Sequence, residues 1–157
     1  MPAGGPRGAS FDHFLERRRA TTKAKAGARL VRSELTNAAE VLALAERERK
    51  WKLWWDVSIA AWAHYGDIIA ISLDPDQWAA VDDAVRASRS LSVGREKMDQ
   101  YGAPTTFEVP LADSTVKGTP ELRKKIMLAY NALAHTADGP EADEDFGVPP
   151  PETLAAL

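Results

Sequence analysis

The sequence contains no cysteine, which excludes a disulfide framework, a thiolate nucleophile and any cysteine-ligated metal site. That absence fits a reducing cytoplasm, the location the sequence leads us to expect. The three histidines, His13, His64 and His135, are far apart and show no H-E-x-x-H spacing. Within His64-Tyr65-Gly66-Asp67 only His64 and Asp67, three apart on a helix, could meet, and a surface hydrogen bond accounts for them. No stretch approaches the roughly 18 uninterrupted apolar residues of a membrane-spanning helix. The Gly/Pro-rich leader, Met1 to Ser10, lacks the apolar run of a secretory signal. Gly4-Gly5-Pro6-Arg7-Gly8 follows no strand and lacks the Gly-Lys-Ser/Thr ending of a phosphate loop, and no G-x-S-x-G elbow occurs. The acidic run from Asp138 to Asp145 does not have the residue order of an EF-hand. These absences point away from an enzyme: no catalytic residue, cofactor or metal is expected.

What is present is ordinary in bulk and uneven in placement. The 157 residues are 45% hydrophobic and 27% charged, enough for one domain with its own core. The net charge of −3 conceals two opposed segments. Residues 7–32 carry Arg7, Arg17, Arg18, Arg19, Lys23, Lys25, Arg29 and Arg32 against Asp12 and Glu16. Residues 138–157 carry Asp138, Glu141, Asp143, Glu144, Asp145 and Glu152 with no base. A basic head and an acidic tail can recruit partners, repel like neighbours or attract each other.

Periodicity and punctuation predict an all-α bundle of about four helices with a long first helix and flexible termini. The expected organisation is a leader over 1–9, a bundle over 10–139, and an acidic, proline-rich flexible tail over 140–157. The first helix is predicted from a Ser10 cap to about Lys52, with a break or fray at Thr21 and Thr22. Ala24, Ala28, Val31, Leu35, Ala38, Leu42 and Ala45 form a heptad-like stripe along it. A second stripe, Val41, Leu44, Trp51 and Trp55, lies about half a turn away. Two apolar sides describe either a central helix or one face on the core and another on a second chain. A second helix is expected after Ser58, with Val57 and Trp62 as a hydrophobic staple. The third has the clearest start: Asp74 as cap, Pro75 at the first position, Gln77 in the capping-box position, Leu73 and Trp78 as a second staple. Residues 102–118 read as a connector, and Thr119-Pro120 as the start of a last helix ended by Asp138-Gly139-Pro140.

The run Ala28-Arg29-Leu30-Val31-Arg32-Ser33-Glu34-Leu35, with Ala61-Trp62 and Leu73-Asp74-Pro75-Asp76-Gln77-Trp78, resembles a loose group of uncharacterised bacterial helical proteins over roughly residues 24–90. In some of that group a membrane span precedes the equivalent first helix. The resemblance implies a helical fold and carries no activity.

Two surfaces are candidates for function. Leu44, Trp51, Trp54 and Trp55 could form an association surface, because tryptophan is favoured where partners bind; packing in the core or at the end of the bundle is the commoner reason for such tryptophans. Arg17, Arg18, Arg19, Lys23 and Lys25 could bind phosphates of nucleic acid or an anionic membrane surface, with Phe11, Phe14 and Leu15 beside them. A solvated helix exterior has the same composition. The function expected is a non-enzymatic protein–protein interaction module, self-associating through a surplus apolar face or binding another protein. The alternative is a nucleic-acid- or anionic-membrane-associated protein using the basic head.

Overall fold

Residues 7–52, 55–100 and 108–148 are described by the computed structural model. Helix α1, Arg7–Glu48, is unbroken. The Thr21 and Thr22 hydroxyls, expected to mark a fray, donate back to the Arg17 and Arg18 carbonyls at 2.9 Å, so both threonines stay inside the helix. Ser10 is likewise helical rather than a cap. The helix stops at Arg49, whose φ of 54° is left-handed, four residues short of the expected end at Lys52. Strand β1, Lys50–Lys52, then pairs antiparallel with β2, Glu108–Pro110, in the register Trp51↔Val109.

Helix α2, Ala61–Ala70, begins three residues after Ser58. Asp56 accepts both the N–H and the hydroxyl of Ser58 at 2.8 Å, so Ser58 closes a turn instead of capping a helix. The first N–H of α2 is met from across the bundle, Ala61 donating to the Glu34 carboxylate at 2.9 Å. Helix α3, Pro75–Gln100, starts as expected. The Gln77 N–H donates to Asp74 Oδ1 at 2.8 Å, and the Asp74 N–H donates to Gln77 Oε1 at 3.0 Å, which is a reciprocal capping box. Trp78 is half-buried against Trp62, ring centroids 4.9 Å apart.

Helix α4, Asp113–Ala132, starts six residues before Thr119 and contains Pro120. Ala112, extended, caps it through its carbonyl, which accepts from Thr115 and Val116. Pro120 removes one hydrogen bond without ending the helix, while the Thr119 hydroxyl bonds the Thr115 carbonyl at 3.0 Å. A short helix, α5, Ala134–Ala137, follows and closes on Asp138 in the left-handed conformation, at the stop expected from sequence.

The fold is an all-α bundle in which α1 is the central helix: it packs on α2, α4, α5 and β1, while α3 lies on α4. Ala28, Val31, Leu35, Ala38, Leu42 and Ala45 of the first stripe are buried, and Gly27 lets Tyr65 of α2 approach so closely that a Cβ there would lie 2.5 Å from the Tyr65 Cβ. Val41 and Leu44 of the second stripe are buried too, in the same cluster as Trp55, Val57 and Ile59. The segment 55–59 runs along that side of α1, held by Asn37, whose amide donates to the Asp56 carbonyl at 3.1 Å.

Residues 140–148, expected to belong to a flexible tail, are packed. Phe146 stacks on Tyr130 at 4.7 Å. The Ala142 N–H donates to Asn131 Oδ1 at 2.7 Å. Gly147 is buried against Ala39 with φ of 72°, a conformation suited to glycine. The leader 1–6 and residues 149–157 lie outside the described residues.

Candidate interaction surfaces

The aromatic candidates fold inward. Leu44 and Trp55 are each only 6% exposed, and Trp51, half-buried, meets Trp55 edge to face at 6.0 Å. The Trp51 Nε1–H is buried with no acceptor among the described residues. Trp54 lies outside the described residues. The described members of the second stripe on α1, Val41 and Leu44, are therefore buried in the core cluster that also holds Trp55, Val57 and Ile59, and they form no uncovered apolar face. Helix α1 is central because both of its apolar sides are used.

The basic candidates divide into two groups. From Asp12 to Lys23 every residue is exposed except half-buried Leu15, and burial begins at Ala24. This arm is the part of α1 that runs past the bundle. It displays Arg17, Arg18, Arg19 and Lys23, none with a carboxylate partner among the described residues. Arg18 lies over the Phe14 ring at 5.0 Å, and Phe14 is 53% exposed.

Lys25 belongs to the second group. Its ammonium donates to Asp138 Oδ2 at 2.7 Å, and that bond holds the Asp138 carboxyl below its ordinary range. Arg29 Nε donates to the Ala137 carbonyl at 2.9 Å. Buried Arg32 donates to the Pro140 carbonyl and stacks over the Tyr130 ring at 3.8 Å. Lys25 and Arg29 thus meet the carbonyl and carboxylate at the C-terminal end of α5, where cations are favoured. From sequence alone Lys25 belongs with the free cations, and Arg29 and Arg32 have no separate role. The available signal was the opposition of basic head and acidic tail, which is realised here as intramolecular attraction.

A shallow open groove of about 250 Å³ lies between α4 and the tail, lined by Ala39, Pro120, Arg123, Lys124, Met127 and Phe146. It is smaller than the roughly 300–1,000 Å³ of ordinary ligand pockets. Among the described residues no group of three His, Asp or Glu side chains could hold a metal ion, and no helix is long and apolar enough to cross a membrane.

No protein-family model, curated protein or solved structure matches the chain.

Proposed function

We propose that this protein is a non-enzymatic protein–protein interaction module whose binding element is the basic arm of α1, and whose partner presents an acidic surface. The observation that supports it is the set of four exposed cations, Arg17, Arg18, Arg19 and Lys23, without a carboxylate partner among the described residues, on a helix whose burial in the bundle begins at Ala24. A pre-ordered helix loses little conformational entropy on binding, so weak charge contacts count for more. The arm's exposed Phe14 adds an apolar contact.

A second reading is supported by the same cations: phosphates of nucleic acid or an anionic bilayer would satisfy them. It is less favoured because Glu141, Asp143, Glu144 and Asp145 are all exposed on the side of α1 that carries the tail. A polyanion long enough to run past the arm and on along α1 would approach these carboxylates.

Combined replacement of Arg17, Arg18 and Arg19 by alanine tests the arm. Retention on an immobilised acidic polypeptide at low salt should be lost, with helix content unchanged. Unaltered retention would remove the arm from the binding surface. Stronger retention on duplex DNA than on acidic polypeptide of equal charge, falling steeply with salt, would favour the second reading.

A further inference from the structure

Arg18 of the arm and the tail stand on one side of one helix, with Arg17 and Arg19 flanking that side by about 100° to either hand. Arg18, Lys25, Arg32 and Ala39 recur every seven residues, so they form a nearly straight line on α1, drifting by about 20° per step. The tail occupies this line from Lys25 to Ala39: Asp138 on Lys25, Pro140 on Arg32, Gly147 on Ala39. It thus runs parallel to α1 and away from the arm. Beyond its edge the same line continues bare, as Arg18 and its ring partner Phe14.

This layout has two consequences. The first is electrostatic. Glu141, Asp143, Glu144 and Asp145 are exposed and have no ion-pair partner among the described residues. They belong to the stretch of chain whose ends meet α1 at Arg32, through Pro140, and at Ala39, through Gly147. Arg18 and Arg32 are fourteen residues apart, on the order of 20 Å at 1.5 Å per residue. A continuous helix cannot fold back over that span, so the arm's cations and the tail's carboxylates cannot meet within one molecule. The second is steric. The tail raises a step on the α1 surface over a length similar to that of the bare arm, about 18 Å for twelve residues.

We infer that the partner of the arm is a second copy of this chain, joined in an antiparallel, two-fold dimer in which each arm lies on the other copy's acidic tail. A two-fold axis near Lys25–Arg29 brings positive recess onto negative step twice, an isologous contact that closes without leaving a free surface of the same kind. It also brings Phe14, 53% exposed, toward Val148, 53% exposed, two of the large apolar side chains that the bundle leaves in water. The contact is small and charge-based, so the dimer is weak and salt-sensitive. This inference rests on the arm being the binding element.

The test is sedimentation velocity of the full chain across a concentration series, at low salt and again near 1 M salt, where the Debye length falls to about 3 Å. A concentration-dependent shift from monomer to dimer is expected at low salt and its loss at high salt. Two charge-reversed variants follow: Arg17→Glu with Arg18→Glu and Arg19→Glu, and Asp143→Lys with Glu144→Lys and Asp145→Lys. Each alone should sediment as monomer with native circular dichroism. Their equimolar mixture should dimerise, because the reversed arm then meets the reversed tail, and the two remaining native charges also meet. A wild type that stays monomeric at every concentration, or a mixture that stays monomeric beside a dimeric wild type, overturns the inference. If the monomeric wild type still binds an acidic polypeptide through Arg17 to Arg19, the dimer alone fails. If it binds neither, the arm reading fails with it.

Discussion

Arg32 carries a full charge at 6% exposure, and its surroundings explain how. Its guanidinium meets the Pro140 carbonyl and the Tyr130 ring, its own carbonyl accepts from the Thr36 hydroxyl, and its Nε is buried without an acceptor among the described residues. Nothing in its local spacing separates it from Arg17 or Arg19, because its partners lie about a hundred residues further along the chain. For the same reason Lys25 could be read as basic but not as already engaged. The carboxyls near α1 respond oppositely to pH. Asp138, held low by the Lys25 ammonium, contributes stability above the usual carboxylate range and loses it as pH falls through its lowered value. Glu40, held high by burial, contributes most below that range and loses it as pH rises through its raised value. Urea titrations should therefore find Glu40→Gln more stable than wild type at neutral pH and Asp138→Asn less stable, both differences closing in acid. A Glu40→Gln gain that persists in acid would show that ionisation is not its source.

At the scale of the element, legibility followed the range of the interaction that sets each boundary. The start of α3 was readable because Asp74, Pro75 and Gln77 are neighbours and satisfy one another. The start of α2 was not, because its first N–H is met by Glu34, twenty-seven residues upstream. The last helix begins earlier than its sequence suggests for another reason. Proline is frequent at a first helical position, so Thr119-Pro120 looked like an opening, whereas Ala112 had already nucleated the helix. The two placements differ in a measurable way. At a true first position Pro120→Ala would be neutral or slightly destabilising. Inside α4, where the ring deprives the Val116 carbonyl of its donor, the same change should stabilise by about 1–3 kcal/mol. A shift of the urea midpoint to higher concentration, with unchanged slope, is the expected result; a lower midpoint would put the helix start back at Thr119.

At the scale of the molecule, the long first helix and the all-α class were legible because apolar spacing reports them directly. The choice between a central helix and a helix with a surplus face is not, because it depends on which distant parts of the chain bury Val41 and Leu44, and spacing along α1 does not carry that. Over residues 140–148 composition alone misleads. Residues 140–148 hold Pro140, four acids and Gly147, a composition typical of mobile chain, yet a few placed residues dock them. Phe146 packs on Tyr130, Ala142 is tied to Asn131, and buried Gly147 fits where any Cβ would strike Ala39. Arg32 adds a fourth anchor through Pro140. Ending the chain after Gly139 should consequently do more than remove charge. It strips the half-buried ring of Phe146 and uncovers Ala39 and the Tyr130 ring, a loss on the order of 2–3 kcal/mol by comparison with core truncations. For a chain of this size that corresponds to a drop in Tm of roughly 5–10 °C. Phe146→Ala alone should account for much of it, whereas Glu144→Gln, exposed and unpaired among the described residues, should leave Tm close to wild type. A truncated chain that melts with the full one would mean that the docked tail contributes nothing to the fold, and that α1 reaches its stability from α2, α4, α5 and the segment 55–59.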